Sequence, residues 1–222
     1  MPAIGLHTKA VPYQPRQRRA GPLKLLYVGN IITLKGLDLA LDALKLSNTD
    51  ATFTIIGSGD YLDALKTQAQ SLGLESRVSF PGRIPREQVL RMYGDYDVFV
   101  FPSLHDTGGF AVIEAMFNEL PVICLDCGGP AVAVREGCGI KVPIRSRKEI
   151  VDGLANAIKT YFRDAEVLKQ HGKAARQVIL QHYDWDRKGE EMNQIYREAL
   201  GEREVPDSRL QTSGKPQPPH SG

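Results

Sequence analysis

The sequence is poor in the residues that announce a specialised architecture. Its 222 residues hold one tryptophan, three cysteines and five histidines. Three thiols cannot build the dense disulfide framework of a small secreted domain. Two of them, Cys124 and Cys127, form a C-x-x-C, but tetrahedral zinc needs two further ligands and the histidines offer no pair at suitable spacing. The cysteines therefore read as small buried thiols of a reducing compartment. No apolar run is long enough to cross a bilayer; the longest, such as DVFVFP, have the length of strands. Charge of one sign is also missing: 28 Lys and Arg stand against 26 Asp and Glu, a net of +2, which gives no electrostatic case for nucleic acid. No G-x-x-x-x-G-K-[ST] occurs, which excludes a P-loop, and no internal repeat is found. The N-terminus has no basic stretch followed by an apolar one, so a signal peptide is not expected and a cytoplasmic location is.

What is present is an ordinary globular composition, 42% hydrophobic and 24% charged, in a regular order. Residues 1–22, with KAVPYQPRQRRAGP, show neither a 2- nor a 3.6-residue apolar period and read as a linker. Residues 201–222 are rich in Pro, Gly and Ser and read as a disordered tail. Between them, residues 23–200 alternate strand and helix. Strands are expected at 23–29, 52–57, 77–82, 97–102, 121–125 and 139–142, mostly apolar runs that stop at Gly or Pro. Helix patterns separate them. Leu37, Ala40, Leu41 and Leu44 share one face, as do Leu62, Leu65, Ala69 and Leu72. Ser146 and Glu149 have the spacing of a capping box ahead of Ile150, Leu154 and Ile158. Such alternation predicts an α/β fold, a doubly wound and mostly parallel six-stranded Rossmann-like sheet. Ligands of such sheets sit beyond the carboxyl ends of the strands.

Four of those ends carry candidate chemistry. The first reads GNIITLKG: Gly29 permits close approach of a ligand, followed by Asn30, and Lys35 precedes a helix at whose N-terminus a phosphate could sit. By spacing alone Lys35 reads equally well as a solvated lysine. The second end, GSGD, places Gly57 in a G-x-G turn. Leu62 stands where a dinucleotide fingerprint wants its third glycine, and the turn follows the second strand instead of the first, which disfavours a nicotinamide cofactor. The third leads into PGRIP, where Ile84 could support a flat base and Arg83 reads as either a ligand or a solvated cation. The fourth leads into SLHDTGGFAVIEAM, residues 103–116. Here Asp106 and Thr107 are followed by Gly108 and Gly109, then by a helix that begins with Phe110 and Ala111 and carries Glu114. Glycine amides at a helix N-terminus suit an anion, and a diphosphate is the natural guest. A carboxylate such as Glu114 can accept from the paired hydroxyls of a ribose or hexose. Separately, Asp106 reads as a turn former and Glu114 as an acid favoured by the helix dipole; together around two glycines they point to a site.

These stretches resemble the C-terminal, nucleotide-sugar-binding domain of retaining glycosyltransferases of the GT-B fold, in the large family-four group. The loop of residues 29–36 is similar to that family's phosphate loop, IIGSGDYLDALKTQAQSLGLESRVSFPGRIPREQV follows its pattern, and FPSLHDTGGFAVIEAMFNELPVI resembles its E-x7-E region. HYDWDRKGEEMNQIYREAL is similar to its closing helix. The resemblance implies that Lys35 neutralises a donor diphosphate, with backbone N–H groups of Gly108, Gly109 and Phe110 on the same phosphates. It implies that Arg83 and Ile84 border the base, that Glu114 holds the ribose, and that Asp106 faces the donor sugar. Lys35, Asp106 and Glu114 would then be the catalytic set, with Gly29, Asn30, Gly57, Thr107 and Ala111 completing the donor site.

The same resemblance implies no metal and no cofactor, the substrate itself being a UDP- or GDP-linked sugar. It implies hexosyl or related transfer in polysaccharide or glycolipid biosynthesis. Two positions depart from the pattern: Asp106 replaces the usual glutamate, and Asn30 stands where arginine is common. The expected partner is an N-terminal acceptor domain, through which an acceptor glycan or glycolipid is reached, so that the chain alone is inactive or weakly active and the complete enzyme is peripheral to a membrane. The closing helix would lack its partner on that domain. The alternative is a free-standing module that binds a nucleotide or sugar nucleotide without turnover.

Overall fold

A computed structural model of the chain describes residues 4–13 and 21–200. Six strands form one sheet: β1 (Leu23–Val28), β2 (Ala51–Ile56), β3 (Val78–Gly82), β4 (Val98–Phe101), β5 (Val122–Leu125) and β6 (Gly139–Val142). Their order is β3-β2-β1-β4-β5-β6 and every pairing is parallel. Each run of apolar side chains expected from the sequence lies in a strand, and all four residues of β4 and of β5 are buried. The structure ends β1, β2 and β4 one residue earlier than the sequence reading, just before Gly29, Gly57 and Pro102, although the Gly29 and Gly57 amides still donate to the Ile56 and Gly82 carbonyls of the neighbouring strands.

The helices are α1 (Leu37–Ser47), α2 (Leu62–Ser71), α3 (Arg86–Met92), α4 (Phe110–Phe117), α5 (Gly128–Ala133), α6 (Arg147–Arg163), α7 (Ala165–His182) and α8 (Trp185–Ala199). The β1→β2 and β4→β5 crossovers leave the middle of the sheet in opposite directions. Right-handed crossover therefore puts α1 and α4 on opposite faces. Helix α1 packs on α2 and α6, whereas α4 packs on α7. Two of the apolar faces read from the sequence are buried throughout, Leu37, Ala40, Leu41 and Leu44 in α1 and Ile150, Leu154 and Ile158 in α6; of the third, Leu65 and Ala69 of α2 are buried, whereas Leu62 and Leu72, the latter just past the helix, are half-buried. The stretch through Leu120 does not continue α4. Glu119 adopts a left-handed conformation (φ 60°) and the Leu120 amide turns back to the Ala115 carbonyl, ending the helix ahead of Pro121.

Helix α6 begins with the capping box expected from its sequence, Ser146 accepting from the Glu149 amide while Glu149 reaches back to the Ser146 amide. Replacing Ser146 by alanine should lower stability by about 1 kcal/mol, read as a lower urea midpoint at unchanged m-value. An unchanged midpoint would mean that the box is not formed.

Residues 4–13, read from the sequence as part of a linker, are packed. Leu6 is buried and pairs through its backbone with Tyr183 and Trp185, and Thr8 donates to the Asp184 carboxylate. Lys188 of α8 donates to the Ile4 carbonyl beside the Trp185 ring. Residues 1–3 and 14–20 of the linker, and the tail read at 201–222, lie outside the described residues. On α8, Ile195 and Tyr196 are exposed. Among the described residues no helix is long and apolar enough to cross a membrane, and no group of three or more His, Cys, Asp and Glu could hold a metal ion. The three cysteines are free thiols; burial pushes that of Cys124 up to about 12.

Candidate functional site

The strand order decides where the site lies. Strand β1 is followed in the chain by β2 on one side but flanked by β4 on the other, so the two crossovers diverge between β1 and β4 and open a crevice at their carboxyl ends. A cleft of about 380 Å³ occupies this place, lined by Tyr27 and Val28 at the end of β1, by Gly29 and Asn30 after it, by Lys35, by Phe101 of β4, and by residues 106–111. The Tyr27 and Phe101 rings stack at its floor, 5.6 Å between centroids, and the Tyr27 hydroxyl donates to the Asn30 carbonyl. Burial, with the Asp106 charge added, holds that hydroxyl protonated well above its ordinary range.

Local structure aims each group. A short 3-10 turn, Thr33–Lys35, ends where Gly36 turns into α1, and this places Lys35 beside the fourth strand end. Its ammonium lies 2.6 Å from Asp106 Oδ2. The other carboxylate oxygen, Oδ1, accepts from the amides of Gly108 at 3.1 Å and Gly109 at 2.8 Å. Gly109 is the residue before α4 and has a φ of 65°, a left-handed conformation that a side chain would strain. Burial alone would raise the Asp106 pKa. Lys35 and the two glycine amides outweigh it and hold the carboxyl below the usual carboxylate range. Among the described residues the amides of Phe110 and Ala111 make no hydrogen bond, as expected of a first helical turn. Phe110 itself is exposed at the rim.

Glu114 stands apart from this cluster. It is buried in α4, and its Oε1 accepts from Arg86 Nε at 2.9 Å and from a terminal Arg86 nitrogen at 2.6 Å. Its Oε2 accepts from the Tyr93 hydroxyl at 3.2 Å. Burial and then the Glu114 charge raise the Tyr93 hydroxyl far above its ordinary value, so Tyr93 stays a donor. A buried carboxylate without such partners would be costly; a basic and a phenolic side chain from the α3 region supply them.

The structure thus brings Gly29, Asn30, Lys35, Asp106, Thr107, Gly108, Gly109, Phe110 and Ala111 to one cleft. Gly57, Arg83, Ile84 and Glu114 are not among its lining residues. Arg83 is exposed, and Ile84 is partly buried against the core. Gly57 packs backbone to backbone against Gly29, where a Cβ would lie 1.8 Å from the Gly29 carbonyl oxygen. Sequence reasoning missed Tyr27, Val28 and Phe101 in the cleft, and Arg86 and Tyr93 as the partners of Glu114. The aromatic pair had a signal, one ring near each carboxyl end of two strands, but only with the strand order known.

A six-stranded parallel sheet with a crevice at its switch point defines an open, doubly wound α/β class of fold, and comparison with known proteins places it within a family. The chain belongs to the family described as glycosyl transferases group 1, whose model matches residues 14–178. It is 30% identical over 210 residues to a glycogen synthase of Mycobacterium tuberculosis, covering 93% of this chain and 50% of that protein. The chain spans about half the length of the curated relatives it matches. Among solved structures it is similar to sucrose-phosphate synthase from Thermosynechococcus elongatus, with a TM-score of 0.75, 26% identity, and coverage of 89% of this chain and 52% of that one. It is also similar to Anabaena HepE in complex with UDP, with a TM-score of 0.68, 25% identity, and coverage of 82% and 49%. A C-terminal glycosyl transferase domain from Francisella tularensis shares the fold over its whole length, with a TM-score of 0.68 and 20% identity over 82% of this chain. The domain is one Rossmann-like half of a GT-B fold.

Proposed function

We propose that this chain is the donor-binding half of a retaining glycosyltransferase, which seats the diphosphate of a nucleotide-sugar in the β1/β4 cleft. One observation carries the reading: a lysine ammonium, two glycine amides and the first turn of α4 converge at the switch point of a doubly wound sheet. These are the donors that a diphosphate needs, and they are held in place before it arrives. Uridine diphosphate is the first ligand to test, because the Anabaena relative was solved with it; GDP is the second.

In this reading the protein's contribution is electrostatic. As the bond between the anomeric carbon and the diphosphate lengthens, negative charge grows on the leaving oxygens, and Lys35 with the α4 N-terminus would stabilise it without a metal. The acceptor hydroxyl would attack from the face that the diphosphate leaves, retaining the configuration. The acceptor would be positioned by a second domain across the cleft, of the kind that makes up the other half of longer relatives. Positioning and water exclusion carry much of such a rate enhancement, so the 222-residue chain should bind a sugar nucleotide and transfer little or none of it.

Glu114 is assigned to the ribose, with Arg86 and Tyr93 holding its carboxylate. Glu114→Gln keeps the shape and replaces one acceptor oxygen by an amide donor, which would face the Arg86 guanidinium or the ligand. UDP binding should weaken about tenfold while pyrophosphate binding is unchanged, both measured by calorimetry. Equal loss for the two ligands would instead assign Glu114 to support of α4. Transfer from a matched UDP- or GDP-sugar, assayed with this chain alone and together with a separately expressed N-terminal half, tests the whole reading. Robust transfer by the chain alone would overturn it.

A further inference from the structure

The donors that would meet a diphosphate already hold an anion. Lys35 and Asp106 face each other with side-chain exposures of only 15% and 16%, and the ammonium and two amides converge on a single carboxylate. A carboxylate presents two anionic oxygens to donors much as a phosphoryl group does. The hydrogen bonds are divided between them, Lys35 on Oδ2 and both glycines on Oδ1, so neither oxygen is idle. A phosphate brought to the same ammonium would lie against this carboxylate, and two like charges at contact in a half-buried cleft repel.

We propose that Asp106 is a resident counter-anion of the diphosphate seat, and that a nucleoside diphosphate binds by displacing its carboxylate from Lys35. This rests on the donor-binding reading above. Before the ligand arrives, the carboxylate keeps the partly buried Lys35 ammonium paired. Afterwards, rotation of the Asp106 side chain hands the ammonium to the phosphate. Aspartate, one methylene shorter than glutamate, is suited to the resident position: its Oδ1 closes a tight turn onto the amides two and three residues ahead while Oδ2 still reaches Lys35. Asp106 thereby sets the affinity of the seat for diphosphate, and Lys35 is the residue through which it acts.

The test is calorimetric titration of the 222-residue chain with inorganic pyrophosphate and with UDP. Asp106→Asn keeps an acceptor oxygen for the glycine amides and removes the charge that competes for Lys35. It should tighten pyrophosphate about tenfold, and UDP by a similar factor. In the Lys35→Ala background the same change should give a smaller gain, because only the direct repulsion between Asp106 and the phosphate is then relieved, and an equal gain in both backgrounds would overturn the displacement. Binding in Asp106→Asn that equals or falls below the unaltered chain, while that chain binds UDP, would overturn the displacement and leave the donor-binding reading standing. Failure of every variant and of the unaltered chain to bind either ligand would overturn both. A second readout needs no substitution: the carbon-13 resonance of the Asp106 carboxyl should move as pyrophosphate saturates the chain, and a stationary resonance would sink the proposal.

Discussion

Replacing Lys35 by alanine should weaken UDP binding by about 2–3 kcal/mol, roughly 30- to 150-fold. The loss has two parts. A charge-assisted hydrogen bond to the phosphate disappears. Asp106, which loses the ammonium 2.6 Å from its Oδ2, keeps its negative charge on the two glycine amides and repels the incoming diphosphate. Because Lys35 addresses the phosphates and not the base, pyrophosphate and UDP should lose affinity in parallel. Calorimetry with both ligands checks this, at a temperature well below the unfolding transition. Unchanged affinity for both would remove Lys35 from the site and the diphosphate from the cleft.

Replacing Gly57 by alanine should cost about 4 kcal/mol of stability, a loss in the range reserved for clashes and backbone strain. Gly57 has a φ of 148°, which L residues rarely adopt, and an added Cβ would lie 1.8 Å from the Gly29 carbonyl oxygen and 3.0 Å from its carbon. Both neighbours are backbone, so no rotamer change relieves the contact, and the loop after β1 would have to move. That loop carries Asn30 and runs on to Lys35, so UDP affinity should fall with stability. Gly189 in α8 is the control: nothing lies within 4 Å of its added Cβ, and Gly189→Ala should be neutral or stabilising by up to about 1 kcal/mol. Urea unfolding measures both. A Gly57→Ala variant as mild as Gly189→Ala would mean that the two loops do not meet as described.

Gly57 also shows how a sequence motif and a structural role diverge. The G-x-G after β2 looks like a ligand loop, yet Gly57 serves the approach of two backbones, and what it positions is the neighbouring loop that does line the cleft. Glu114 diverges in another way. Its helix and its burial follow from the apolar pattern around it, but its partners Arg86 and Tyr93 stand 28 and 21 residues away in a segment without a strong period.

By itself the sequence determined the six strands and the helices α1, α2, α4 and α6, because their signals are local. Apolar runs closed by glycine or proline place strands, 3.6-residue periodicity places α1, α2 and α6, and Ser146 with Glu149 marks a helix start. It also determined which strand ends hold polar and glycine-rich chemistry. Tertiary structure alone decided that β4 lies beside β1, since strand pairing joins residues far apart in sequence, as in Leu25 with Val98. That one neighbourhood brings Lys35 to Asp106 across 71 residues of chain and creates the cleft. Likewise, only packing could show that residues 4–13 fold against the α7–α8 junction, where the Leu6 backbone meets Tyr183 and Trp185. Periodicity records which way a side chain faces; which distant group it meets is settled by how the layers assemble.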